Sequence, residues 1–350
     1  MEAENSSSSI PPMAAWPTQP GLVSIVAPVF REELGIRHFC DAVMKVLSEL
    51  GCDYEIVLVE DDSPDNSWTE IRSLCDDYPT RIKALSMSRR FGHQASLAAG
   101  FDAARGDIVI CMDSDMQHPP SMLPQMLWYW SQGYQLVYTQ RRKQQGRGFL
   151  KELASKAFYK GINRFTEIRF EEGTADFRLL DRLVVDALTR FTERGLLYRG
   201  LVQWSGFRRI AIEYDAPDRF AGSSSYGWKR MIRMGLDALF AFSLMPLRLS
   251  YFVGSVSLVI TFLYAVWTVI AWMSGASTVP GYTSLVLLAS FLGSMHLICL
   301  GIVGEYVGRI HEQVKQRPLY LVKESLGISV RHSNTEPAIR IANQEKRNAA

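Results

Sequence analysis

Residues 107–120 read DIVICMDSDMQHPP, and the reading of this stretch decides the fold. Its first half is apolar and β-branched, which predicts a buried strand over 107–113. Its second half sets Asp113 and Asp115 one residue apart. Two carboxylates this close either point apart into water or share a cation, because like charges otherwise oppose joint ionisation. Strand side chains repeat every second residue, so an extended chain would put Asp113, Asp115 and Gln117 on one face. Mg²⁺ and Mn²⁺ take such oxygen ligands and bind diphosphate oxygens as well. A lone Asp-x-Asp is weak, since it occurs by chance in many loops. At the carboxyl end of a parallel strand it acquires meaning, because ligands of open α/β sheets bind there.

The neighbouring sequence predicts such a sheet. LVSIVAPV (22–29), YEIVLVE (54–60), KALSM (83–87) and QLVYT (135–139) read as further strands. Helical periodicity falls between them, at 32–50, 65–78, 91–105 and 121–132. Short apolar strands alternating with helices indicate a mostly parallel sheet covered on both faces. Polar or acidic residues end three strands: Pro28 onward, Glu60-Asp61-Asp62 and Asp113-Ser114-Asp115, all expected to face one crevice. Glu60-Asp61-Asp62 admits two roles. An acid here accepts hydrogen bonds from a base or ribose, while Ser63 or Asp65 suits a helix N-cap, with Pro64 in the first turn. RRIAIEY (208–214) is one more short strand.

Charge is spread unevenly. Lys and Arg number 38 against 36 Asp and Glu, a balance without the basic excess of a nucleic-acid binder. Yet no Lys, Arg, Asp or Glu occurs from Leu249 to Gly304. Within that stretch 249–273 and 283–307 are each long enough to cross a bilayer, which needs about 20 apolar residues. Basic residues (Lys229, Arg230, Arg233, Arg248, then Arg309, Lys315, Arg317) flank both, so the positive-inside rule predicts cytoplasmic termini and an outside loop. The alternative is a buried hairpin of a soluble core. Residues 228–248 have the pattern of a helix lying in a membrane interface, or else of a packed amphipathic helix. Five cysteines form no CxxC pair, which fits a reducing compartment. Residues 1–20 are Ser/Pro-rich and read as a disordered leader, and the polar tail reads likewise. The expected domain plan is 1–20 leader, 21–225 α/β domain, 226–248 juxtamembrane helices, 249–308 two transmembrane helices, 309–323 cytoplasmic segment and 324–350 disordered tail.

The motifs APVFREE, VEDDSPDNS, SRRFGHQASLAAGFDAARGDIVICMDSDMQHPP, DFRLLDRLVVDAL and GEYVGRIHEQVKQRPLY together resemble the inverting family-2 glycosyltransferases with a GT-A fold. Within that family the chain is similar to the polyprenyl-phosphate sugar transferases, near the bactoprenol glucosyltransferases and related to dolichyl-phosphate mannose synthase. The similarity spans roughly residues 20–323. It implies that Pro28 and Glu32 border a nucleotide pocket and that Asp61 contacts uracil. It further implies that Asp113, Asp115 and Gln117 form the metal and diphosphate group, with Asp115 and Asp176 the catalytic carboxylates. A homo-oligomer such as a tetramer is compatible with it. Two departures stand out: Glu60-Asp61-Asp62-Ser63 lacks the family's glycine, and Ser225 replaces a usual lysine.

The expected reaction is transfer of a hexose, glucose first, from UDP-sugar to undecaprenyl phosphate with Mg²⁺ or Mn²⁺. GlcNAc, mannose and aminoarabinose are rival sugars. A rival of another class is a non-catalytic carrier or flippase of the lipid-linked sugar. A phosphate monoester has a second pKa of about 6 and is already nucleophilic at neutral pH. Such an acceptor needs its charge neutralised rather than a strong base, and arginines suit that task. Arg141 and Arg142 lead, then Arg199 and Arg219. Asp176 is read as an orienting or electrostatic group, or as a helix cap. His93 lies near the crevice, and most histidines so placed do no chemistry.

Overall fold

The structure, a computed structural model, describes residues 10–142, 174–191, 198–215, 245–274 and 281–328. The chain divides into two compact units: Met1–Tyr159 with Phe170–Ser225 and Arg317–Ala350, and Lys160–Arg169 with Tyr226–Gln316.

The first unit is built on one eight-stranded sheet. Its strands are β1 (Leu22–Val29), β2 (Asp53–Glu60), β3 (Ile82–Met87), β4 (Ile108–Cys111), β5 (Leu136–Arg141), β6 (Thr174–Asp181), β7 (Arg209–Tyr214) and β8 (Val322–Leu326), in the order β7-β5-β6-β4-β1-β2-β3-β8. The β1–β2, β1–β4, β2–β3 and β5–β7 pairs are parallel. Thus the expected mostly parallel α/β sheet is present, with β6 and β8 running against it. Helices α1 (Ile36–Leu50), α2 (Ser67–Asp77), α3 (His93–Ala103) and α4 (Leu123–Ser131) link the early strands, followed by α5 (Arg182–Leu188) and α6 (Tyr198–Trp204).

Period-two alternation along β1 sorts the core. Val23, Ile25, Ala27 and Val29 join the cluster that includes Phe39 and Val43 of α1, Ile71 and Leu74 of α2 and Leu123 and Met126 of α4. Val26 points the other way, against Gly100 of α3, where a Cβ would come 2.2 Å from the Val26 side chain. Beneath the strands' amino ends, buried Glu55 receives bonds from Ser24 Oγ, the Arg105 N–H and Lys83. Burial alone would raise the Glu55 carboxyl, but Lys83, Ser24 and Arg105 together hold it below its ordinary range.

Three expectations change. The leader is not wholly disordered: Trp16 is buried, donates to the Pro11 carbonyl at 2.8 Å and packs edge-on against Trp128. The tail is ordered past 323, since β8 pairs with β3 as far as Leu326 and Glu324 bonds Trp68 and Arg72. The strand expected over 107–113 stops at Cys111, and Met116 takes φ 63° in the turn that follows.

The second unit holds α7 (Met245–Met273) and α8 (Tyr282–Val314). Both contain windows apolar enough to cross a membrane by length and composition, Leu247–Tyr264 and Phe291–Val314, and neither window is buried within the chain. The two helices pair antiparallel, Ser257 Oγ meeting Met295 Sδ at 2.6 Å and Cys299 Sγ facing the Ser250 carbonyl at 3.8 Å. Of the amphipathic stretch 228–248, all but its last residues lie outside the described residues.

Gly106, just before β4, admits no side chain. A Cβ there would lie 2.6 Å from the Leu22 carbonyl oxygen and 2.7 Å from the Ser24 nitrogen, both backbone atoms. Gly106→Ala is expected to cost about 1–3 kcal/mol by overpacking. Thermal unfolding of the detergent-solubilised chain reads this, and an unchanged midpoint would disprove the close approach.

Candidate active site

The carboxyl ends of β1, β2 and β4 open onto one set of loops, and each loop contains a non-glycine residue with positive φ: Arg31 (61°), Asp62 (48°) and Met116 (63°). Such conformations persist where surrounding bonds over-determine them, and they gather at functional sites. Asp62 occupies the position where the resembling family carries glycine, and it tolerates the left-handed region better than most residues do.

The acidic cluster after β2 is occupied mainly with the protein's own backbone. Glu60 is buried and accepts from Ser86 Oγ at 2.8 Å and from the Ser63 N–H. Asp61 is buried too, and its oxygens accept the Phe91 N–H at 2.7 Å and the Gly92 N–H at 2.9 Å. The loop after β3 is thereby pinned just before α3 begins. Asp65 accepts from Ser63 Oγ, Ser67 Oγ and the Ser67 and Glu33 N–H groups. Burial would raise the Asp65 carboxyl, but these donors hold it below the usual carboxylate range. The capping expected of Ser63 or Asp65 is not what the structure has: Asn66 is the cap of α2 and makes no side-chain capping bond, while Asp65, one residue earlier, accepts the Ser67 N–H. Ser63 Oγ accepts the Arg31 N–H, and Ser67 Oγ accepts the Glu32 N–H. These bonds clasp the β2 loop to the loop after β1, where Glu32 lies half-buried. Pro28, near the end of β1, accepts Ser114 Oγ through its carbonyl at 3.0 Å.

The Asp113–Asp115 turn lies beside it. Asp113 and Asp115 are both half-buried, and Asp115 Oδ1 accepts the Gln117 N–H at 3.1 Å, closing a local turn. The one-face argument for an extended chain therefore fails here, and the turn itself replaces it. Asp113 lies between two imidazoles: His93 Nε2 is 3.7 Å from its Oδ1 and His118 Nε2 is 3.6 Å from its Oδ2. The same His93 nitrogen is 3.5 Å from Oδ2 of Asp176. His93 opens α3, so the Asp61 bonds that fix Phe91 and Gly92 also fix where this ring begins.

Asp176 sits within β6 and caps no helix. Asp181 is the cap of α5, accepting the Leu183 N–H at 2.9 Å and Trp130 Nε1 at 2.8 Å. Buried Asp176 instead pairs with buried Arg178 at 2.8 Å, and Arg178 also donates to the Ala175 and Tyr198 carbonyls. A buried pair with its remaining donors satisfied is a fixed charge rather than a mobile one. Neighbouring Cys111 is fully buried, which pushes its thiol up to about 12 and leaves it inert.

Arg141 and Arg142 separate cleanly. Arg141 donates through Nε to the Tyr214 hydroxyl at 3.0 Å and through Nη2 to Gln117 Oε1 at 3.1 Å, so it stands beside the acidic turn without a carboxylate partner of its own among the described residues. Arg142 is paired outward with Glu213 and Asp215, each at 3.2 Å. Arg199 lies in α6 with its side chain outside the described residues, and Arg219 and Ser225 lie outside them altogether.

Among the described residues no group of three or more His, Cys, Asp or Glu side chains is arranged to hold a metal ion by itself. The donor set still suits a hard cation. Mg²⁺-type sites use one or two carboxylates and complete their shell with water and substrate phosphate oxygens, and Asp113 and Asp115 supply that number. Sequence reasoning passed over His118 and Tyr214. A single histidine before Pro-Pro has no spacing signature, and the Tyr214 contact depends on the pairing of distant β5 and β7.

A profile of glycosyl transferase family 2 matches residues 24–189. The chain is 39% identical over 308 residues to an uncharacterized glycosyltransferase of Synechocystis sp., covering 87% of this chain and 96% of that protein. It is 37% identical over 307 residues to the uncharacterized glycosyltransferase YkcC of Bacillus subtilis, covering 87% and 94%. It is 36% identical over 304 residues to the prophage-derived bactoprenol glucosyl transferase of Shigella flexneri, covering 87% and 98%.

Asp61→Asn keeps one acceptor oxygen and turns an amide N–H toward a backbone N–H. The loss of a buried bond of this kind is expected to cost about 1–3 kcal/mol and to speed amide exchange at 91 and 92. Unchanged exchange there would show that Asp61 does not hold this loop.

Proposed function

The chain belongs to glycosyl transferase family 2, and from that premise we propose that it transfers glucose from UDP-glucose to a polyprenyl phosphate at the cytoplasmic face of a membrane, inverting the anomeric centre. The observation that carries the reading is the convergence of Asp113, His93 and Asp176 at the sheet's carboxyl edge, with Arg141 joined to the same turn through Gln117. The bactoprenol named in the Shigella relative supports the lipid acceptor, and the two apolar helices support a membrane location.

The chemistry follows from charge. The acceptor phosphate oxygen attacks the sugar's anomeric carbon as the bond from that carbon to the UDP oxygen breaks, and the electron pair leaves with UDP. Being mostly dianionic at neutral pH, the acceptor loses no proton to a base. Two anions must nevertheless meet. Asp113 and Asp115 would hold Mg²⁺ or Mn²⁺, with Gln117 bordering the diphosphate. Bound there, the cation would supply charge neutralisation for the departing UDP.

Arg141 is the better placed of the two arginines to meet the lipid phosphate, because Arg142 is engaged by Glu213 and Asp215. Guanidinium pairs with phosphate through short charge-assisted bonds. Asp176, fixed by Arg178 and facing His93, serves as an orienting charge near the sugar. Pro28 and Glu32 border the nucleotide. Asp61 reaches it indirectly, by holding the loop after β3, and its oxygens retain further acceptor capacity for the uracil. Basic residues at the outer ends of the two apolar helices support a cytoplasmic side for the termini and the catalytic unit.

Asp115→Ala is expected to lower lipid-dependent UDP release by about 100-fold or more, in line with several kcal/mol of lost charge stabilisation, and EDTA is expected to abolish it. A panel of UDP-glucose, UDP-GlcNAc, GDP-mannose and UDP-aminoarabinose offered with undecaprenyl phosphate tests the donor, with glucose transfer expected. Full turnover in EDTA would defeat the metal role. Transfer from none of the donors would favour a carrier of preformed lipid-linked sugar.

A further inference from the structure

We infer that His118 is a positioning residue that fixes both the backbone and the carboxylate of Asp113, an inference that rests on reading Asp113 and Asp115 as the cation site. The ring's Nδ1 accepts the Asp113 N–H at 2.8 Å. A nitrogen that accepts carries no proton, so the neutral ring's proton sits on Nε2. That nitrogen faces Oδ2 of the same aspartate at 3.6 Å. One imidazole thus holds the Asp113 backbone by a hydrogen bond and places its second nitrogen within electrostatic range of the same residue's carboxylate.

The ring has nowhere else to go. It is 1% exposed, lies nearly parallel to Phe177 with centroids 5.0 Å apart and meets the Tyr214 ring at 6.3 Å. Phe177 follows Asp176 in β6, and the Tyr214 hydroxyl accepts from Arg141. The two rings around His118 thus belong to the chain neighbour of Asp176 and to the hydrogen-bond partner of Arg141. The turn needs such a clamp. Met116 at φ 63° is a costly conformation for a non-glycine residue, and the Asp113 N–H would otherwise lose its acceptor in a half-buried place. An ordinary buried histidine that merely ends a turn would need only the Nδ1 contact. The approach of Nε2 to the carboxylate is the additional feature.

The test uses the full chain in detergent with Mn²⁺ and UDP, titrated by electron paramagnetic resonance alongside the Mn²⁺ dependence of turnover. His118→Ala is expected to weaken Mn²⁺ binding about 10- to 100-fold, the usual effect of losing a group that orients a metal ligand. Turnover at saturating Mn²⁺ should fall far less. His118→Asn keeps an acceptor for the Asp113 N–H but not the Nε2 contact, so it should bind Mn²⁺ with intermediate affinity. Wild-type affinity in either variant overturns the inference, and His118→Asn decides alone if the alanine variant does not fold. Asp113→Ala separates the two levels. If it retains Mn²⁺ binding, the underlying cation reading fails. If it loses binding while His118→Ala keeps it, only the role of His118 fails.

Discussion

Carboxylates gathered in a half-buried crevice repel one another, and this protein is organised around managing that repulsion. Most acids described at the sheet's carboxyl edge have a stated counterpart. Glu60, Asp61 and Asp65 accept backbone N–H groups and hydroxyls of adjoining loops. Asp176 is matched by Arg178. Asp113 is flanked by two imidazoles, and Asp115 accepts a turn N–H. A divalent cation at that turn would answer the charge of the two carboxylates.

The loops after β1, β2 and β3 are joined by hydrogen bonds to carboxylates and serine hydroxyls. The β2 loop grips the β1 loop through Ser63, Asp65 and Ser67, and grips the β3 loop through Asp61. This arrangement accommodates left-handed conformations at Arg31 and Asp62 without glycine. It also makes the entrance to the site a set of mutually dependent segments, in which displacing one loop removes acceptors from the next.

Much of this was legible in the sequence because parallel strands announce themselves locally. β1 to β5 and β7 were expected within a few residues of their observed bounds, and the two long apolar helices were evident from the uncharged run. What escaped depends on distant pairing. TADFRLLD carries no clean alternation, and it becomes a strand only because β4 and β5 leave a slot between them that it fills antiparallel. That pairing puts Asp176 in the sheet, which removes the alternative reading of it as a helix cap. β8 is a charged edge strand, and Lys323 and Glu324 make it read as a tail; charge is a normal guard on an exposed edge. In the site, the acidic pair was legible as chemistry, while the part played by His93 and His118 required knowing which loops meet.

The last strand of the sheet is encoded after both apolar helices. A ribosome delivers β1 to β7 long before Val322–Leu326 emerges, so the β3 edge stays open throughout synthesis of α7 and α8. Unpaired strand edges are the sticky surfaces of unfinished proteins. Completion of the sheet is therefore chronologically tied to delivery of the hydrophobic hairpin, and a chain that stalls within that hairpin would display a raw edge ready to be recognised as defective.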